Sequence, residues 1–152
     1  MIWCAIWKGG RSNIYFMKGK IDADLYIDLM NEFIECDLKP AFPDFEATFM
    51  QDGAPCHTAN KTRMFLASTG LHVLEWWPAN SPDLNPIENG WSMMEEWIDR
   101  NRPDARKNMN EFKEAIVDVW WTYDQEVIDR MIDGTDKRWD AVIKANGGRI
   151  FM

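Results

Sequence analysis

Basic charge, histidine and paired cysteines are all scarce in this chain of 152 residues. Its 17 Lys and Arg face 25 Asp and Glu, a net charge of -8 with a pI near 4.7. No overall positive field draws such a chain onto a phosphate backbone, so any nucleic-acid contact must be local. The best local cluster is Arg100, Arg102, Arg106 and Lys107, and Asp99 and Asp104 dilute it as in an ordinary solvated loop. Cys4, Cys36 and Cys56 are odd in number and far apart, which argues against a disulfide framework and for reduced thiols inside a cell. Cys56 adjoins His57, but Cys36 and His72 do not complete any zinc-ligand spacing, and a zinc site is rejected. Long apolar runs are missing too. Nothing approaches the roughly 18 residues of a membrane span, and the apolar opening Met1 to Trp7 meets Lys8-Gly9-Gly10-Arg11 at once, unlike a signal peptide.

What is present is a packed globular protein: 46% hydrophobic residues, nine Trp and eight Phe against 28% charged residues. The length suits one domain with a sizeable core, so residues 1–152 are expected to form a single unit. No internal repeat or low-complexity tract interrupts it.

The first 18 residues read as a hairpin, with MIWCAIW and SNIYFMKG as strands around the Lys8-Gly9-Gly10-Arg11 turn. Asp22 fits an N-cap, and Tyr26, Leu29, Met30, Phe33 and Ile34 make the stripe of an amphipathic helix ending near Cys36. The prolines of DLKPAFPDFE predict an irregular loop. ATFMQ then reads as a strand delivering Asp52, just before Gly53, to its carboxyl end, where open α/β sheets place ligands. Thr58 can cap a short helix to about Thr69 with Gly70 at the left-handed exit, and HVLEW is a further strand.

The proline-rich loop WPANSPDLNP opens another helix, with Asn85 at the N-cap and Pro86 at the first helical position. Ile87, Trp91, Met94, Trp97 and Ile98 form its apolar stripe, and Glu88 lands in its first turn, off that stripe. The last third reads as helical. Asn110 can cap a helix bearing Phe112, Ala115, Ile116, Val119 and Trp120, Asp124 can cap another, and a final helix carries Trp139, Val142 and Ile143 before Asn146-Gly147-Gly148.

The chemistry lies with Asp52 and Glu88. The 35 residues between them are enough for a helix, a strand and a tight return loop, so both carboxylates can reach one point. Hard divalent cations take oxygen ligands, and two such ions about 3.5 to 4 Å apart clamp the attacking and leaving oxygens of a phosphodiester. Simpler readings stand beside this one. Glu88 can close a capping box or interact with the helix dipole, and Asp52 can be a turn former. His57 can lie near the metals or serve a local hydrogen bond. Trp76 and Trp77 can stack on unpaired bases or pack in the core.

FMQDGAPCHTA followed by WWPANSPDLNPIENGW resembles the catalytic domain of the mariner-like transposase superfamily, the Asp-Asp-Glu (DDE) endonucleases of cut-and-paste transposons. The opening hairpin and helix resemble the family's second and third strands and following helix, and RWDAVIKANGG resembles its C-terminal helix, so nearly all of the chain is covered. The resemblance implies an α/β ribonuclease-H-like fold, a mixed sheet flanked by helices with a helical C-terminal part. It also implies Asp52 and Glu88 as catalytic metal ligands, Mg²⁺ or Mn²⁺ as cofactor, transposon-end DNA as partner, and nuclear residence. The family's first catalytic Asp stands on a strand ahead of the matched region, and Met1 to Phe16 contains no Asp or Glu. Residues 1–152 are therefore expected to form a partial catalytic domain lacking that central strand, with weak metal binding, little cleavage and free sheet edges that favour a homodimer. The rival expectation is a catalytically silent interaction or dimerisation module.

Overall fold

The computed structural model describes residues 1–74, 77, 78 and 81–148. The chain divides into two compact units: Met1–Ala5 with Arg11–Ser81, and Ile6–Gly10 with Pro82–Met152.

The expected hairpin forms, in two pieces. β1 (Ile2–Trp3) pairs antiparallel with β4 (Tyr15–Phe16), in register Ile2 to Phe16 and Trp3 to Tyr15, while β2 (Ile6–Trp7) pairs with β3 (Gly10–Arg11). Between them Ser12 stitches the ladder. Its N–H donates to Ala5 O at 2.9 Å, and its fully buried Oγ accepts the Ala5 N–H at 2.8 Å and donates to Asn13 O at 2.6 Å.

In the first unit α1 (Ala23–Phe33) starts as predicted, with Asp22 accepting the Leu25 N–H at 3.0 Å. Tyr26, Leu29, Met30 and Phe33 are its buried stripe. The ring of Phe33 meets Trp3 of the hairpin at 4.8 Å and Phe49 at 6.1 Å, so one side chain joins both strand pairs to the helix. The helix does not stop near Cys36. It continues through a π turn, Ile34–Leu38, into a last helical turn, α2 (Lys39–Ala41), that includes Pro40. The wide turn, closed by the Lys39 N–H on Ile34 O, shifts the hydrogen-bond ladder just ahead of the residue that has no N–H to give. Asp37 anchors this turn to the hairpin, accepting from Asn13 N and Nδ2, each at 2.9 Å, and from the Tyr15 hydroxyl.

β5 (Thr48–Phe49) and β6 (His72–Val73) run parallel, Thr48 opposite His72 and Phe49 opposite Val73. The described strands thus form three two-stranded sheets where one mixed sheet was expected. Glu75 and Trp76, the end of the predicted HVLEW strand, lie outside the described residues. Between β5 and β6 the helix starts earlier than Thr58. α3 (Pro55–Thr58) begins on a proline, a break at Ala59 follows, and α4 (Asn60–Ser68) ends at Gly70, whose φ of +79° is the predicted left-handed exit.

In the second unit α5 (Pro86–Asn101) starts on Asn85 and Pro86 as predicted, and buries Met94 and Ile98. α6 (Met109–Thr122) is capped by Asn108 rather than Asn110: the Asn108 side chain accepts the Asn110 N–H at 2.9 Å. It buries Ala115, Ile116, Val119 and Trp120, and Trp120 stacks on Trp91 of α5 at 6.4 Å. α7 (Gln125–Lys144) starts on the predicted Asp124 cap but is one continuous helix where two were expected. Gly134 passes within it, costing about 1 kcal/mol against alanine but no break. Trp139 and Ile143 are 39% and 70% exposed, so that stripe is not a buried one in this unit. The turn between β2 and β3 is fixed to α7. Gly9, at φ +84°, donates its N–H to Asp129 at 2.9 Å and holds that carboxyl below its usual range, while Lys8 pairs with Asp133 at 2.7 Å. Gly10 has no side chain because the Trp7 indole lies where one would go, 2.3 Å from an added Cβ.

Two stability predictions follow from this packing. Replacing Ser12 by Ala strands the Ala5 N–H and is expected to cost about 1–3 kcal/mol in urea unfolding. Trp120→Ala empties the centre of the helical unit and is expected to cost about 3–5 kcal/mol, against about 0.5 kcal/mol or less for its exposed neighbour in Trp121→Ala.

Candidate metal centre

Asp52 stands in the first unit, beyond β5 and three residues before the start of α3. Pro55 suits the first position of a helix because its missing N–H would have no intrahelical partner there, and it fixes where the chain turns. The turn-former reading of Asp52 holds for one of its oxygens: Oδ1 accepts the Ala54 N–H at 3.0 Å. Oδ2 has no hydrogen-bond partner among the described residues, and the side chain is 54% exposed. Gly53 adds open space, since a Cβ built there meets nothing within 4 Å.

His57, given two readings from sequence, contacts this carboxylate directly. Its Nδ1 lies 2.7 Å from Asp52 Oδ1 and hydrogen-bonds the Asp52 carbonyl oxygen at 3.3 Å. The imidazole rests on the ring of Tyr26, centroids 4.3 Å apart. Tyr26 is buried, its hydroxyl donates to Gln51 Oε1 at 2.6 Å, and burial holds that phenol far above its usual pKa. Tyr26 appeared in the sequence only as one residue of an apolar stripe; no local pattern pairs it with a glutamine 25 positions away. The neighbouring Cys56 thiol is also pushed up, chiefly by burial, and its carbonyl accepts the Thr62 hydroxyl at 2.6 Å.

Glu88 stands in the second unit, half-buried in the first turn of α5. Asn85 caps that turn, its side chain facing the Ile87 N–H at 3.4 Å, and the Ser92 hydroxyl donates to the Glu88 carbonyl at 3.1 Å. A capping box needs the glutamate to return to the backbone N–H of the cap residue. That N–H donates to Pro82 O at 3.1 Å. The favourable interaction of its charge with the helix N-terminus remains.

Asp52 and Glu88 belong to different units. Among the described residues no three His, Cys, Asp or Glu side chains gather as a metal-binding group. The basic cluster is internally neutralised: Arg100 pairs with Glu96 at 2.5 Å, Arg102 with Asp118 at 2.6 Å, Arg106 with Asp99 at 2.8 Å and Lys107 with Asp104 at 2.5 Å. It offers no concentrated positive face. Trp77 is half-buried, and Trp76, the other proposed stacking residue, lies outside the described residues.

Residues 1–110 match the family model of the DDE superfamily endonucleases. The Tc1 transposase of Caenorhabditis elegans is 37% identical over 102 residues, 65% of this chain and 35% of that protein. The Tc3 transposase of the same organism is 26% identical over 151 residues, 99% of this chain and 45% of that protein. The chain therefore spans between a third and a half of the length of these relatives. Among solved structures, the Mos1 transposase catalytic domain with raltegravir and Mg superposes with a TM-score of 0.83 at 23% identity, over 99% of this chain and 75% of that one. The Mos1 paired-end complex with left transposon end gives 0.81 at 22% identity, over 95% and 42%. These likenesses show the fold, the ribonuclease-H-like fold that the motifs implied. With the family model covering the FMQDGAPCHTA and NPIEN segments alike, the chain belongs to the DDE superfamily endonucleases, with Tc1/mariner transposases as its homologues.

Proposed function

We propose that this chain is part of the catalytic domain of a cut-and-paste DNA transposase, in which Asp52 and Glu88 are two of the carboxylates that hold divalent metal. The observation that carries this reading is the state of the Asp52 carboxylate: one oxygen is taken up by local contacts, while Oδ2 has no hydrogen-bond partner among the described residues on a side chain that is 54% exposed. An exposed carboxylate oxygen suits a hard cation such as Mg²⁺ or Mn²⁺, and solved Mos1 relatives carry one or the other.

In phosphodiester cleavage bound divalent metal would supply charge neutralisation at the attacking and leaving oxygens. Asp52 and Glu88 would hold it, and the helix starts beside both residues would help to fix their carboxylates in place. The DNA partner is a transposon end, as in the Mos1 complexes, and the protein acts in the nucleus. Residues 1–152 supply two carboxylates of a site that takes three in this family, so by themselves they bind metal weakly and cleave little or nothing.

A second reading is favoured by the exposure of Trp121 and Ile143, 54% and 70%: a transposase-derived module whose apolar helix faces serve self-association or a partner. The two are separable, since a silent module is indifferent to Glu88→Gln.

Two measurements test the proposal. Calorimetric titration of the 152-residue chain with Mn²⁺ is expected to show weak specific binding that disappears in both Asp52→Ala and Glu88→Ala; binding that survives both substitutions contradicts the assignment. A nicking assay on supercoiled DNA in Mn²⁺ is expected to show no cleavage above background, and cleavage abolished by Asp52→Ala would overturn the claim that two carboxylates are too few.

A further inference from the structure

We propose that His57 is a positioning residue for Asp52: its Nδ1–H holds Oδ1 and the adjoining carbonyl so that Oδ2 is the oxygen presented to the cation. The inference rests on the metal-ligand reading of Asp52 and adds a residue to it.

Both atoms facing Nδ1, the carboxylate Oδ1 at 2.7 Å and the carbonyl oxygen at 3.3 Å, can only accept. Nδ1 must therefore carry the proton, and the ring cannot swivel to offer Nε2 without leaving both acceptors. What prevents the swivel is the floor beneath it. The imidazole lies on Tyr26 at 4.3 Å with its side chain only 14% exposed, and Tyr26 is locked in turn by its hydroxyl on Gln51, the residue before Asp52. The loop from Gln51 to His57 is thus held at both ends by one buried tyrosine of α1, itself in the core of the first unit. With Ala54 N–H and His57 Nδ1 both on its Oδ1 side, Oδ2 is the oxygen left to offer a cation. Groups that orient a ligand in this way commonly change metal affinity 10-fold to 100-fold when removed.

Two substitutions separate the proton from the packing. His57→Phe keeps a ring on Tyr26 but has no donor, whereas His57→Asn loses the ring and keeps an N–H at the position of Nδ1. Mn²⁺ affinity of the 152-residue chain, read by calorimetry beside Asp52→Ala, is expected to fall roughly 10-fold or more in His57→Phe and to be retained in His57→Asn. Loss in Asp52→Ala with no change in His57→Phe overturns the positioning role and leaves the metal reading standing. So does the reverse pattern, with affinity kept by Phe and lost by Asn. No loss in Asp52→Ala overturns the metal reading itself. A second readout needs no metal: long-range ¹H–¹⁵N correlation spectra of the metal-free chain are expected to show a proton on Nδ1 of His57, and a ring protonated at Nε2 alone overturns the contact on which the proposal stands.

Discussion

A proline at the start of a helix fixes the backbone beside each of the two carboxylates. Pro55 opens α3 three residues after Asp52, and Pro86 opens α5 two residues before Glu88. A helix start leaves backbone N–H groups without intrahelical partners, and the proline both removes one of them and presets the dihedral that the first turn requires. The neighbouring groups then fall into place: Asn85 takes the Ile87 N–H, Pro82 takes the Asn85 N–H, and Asp52 takes the Ala54 N–H.

The two units support these starts by different means. In the first, a single helix, α1, gathers the strand pairs through Phe33 and reaches the Asp52 loop through Tyr26. In the second, α5 packs against α6, where Trp91 stacks on Trp120, and against α7. Charge contributes little to either core. The ion pairs are surface pairs of the kind worth about 1 kcal/mol or less, and several of them neutralise the basic residues Arg100, Arg106 and Lys107.

Much of this architecture can be read from side chains that act over three or four residues. Asp22, Asn85 and Asp124 are legible as caps because each precedes a periodic apolar run, and Gly70 as an exit because it closes one. The misreadings occur where two neighbours have equal chemistry or where a contact overrides a rule. Asn108 and Asn110 can both cap, and only the packing of α6 chooses between them. Pro40 signals a break, yet a π turn anchored by Asp37 carries the helix through it. The stripe of Trp139 and Ile143 has the right spacing for burial but little to bury it within its unit. At the candidate site, motif and spacing single out Asp52 and Glu88 as candidate ligands. The hold on Asp52 is not legible in this way, because Tyr26 meets Gln51 and His57 only once α1 has packed on the first unit.

The central proposal is that Asp52 and Glu88 are both ligands of divalent metal. Paramagnetic broadening of backbone amide resonances by substoichiometric Mn²⁺ tests it directly. The account predicts that the amides of Gln51 to Ala54 and of Ile87 to Asn89 broaden together, at the same Mn²⁺ concentrations. Broadening confined to one of the two segments, or to neither, would contradict it.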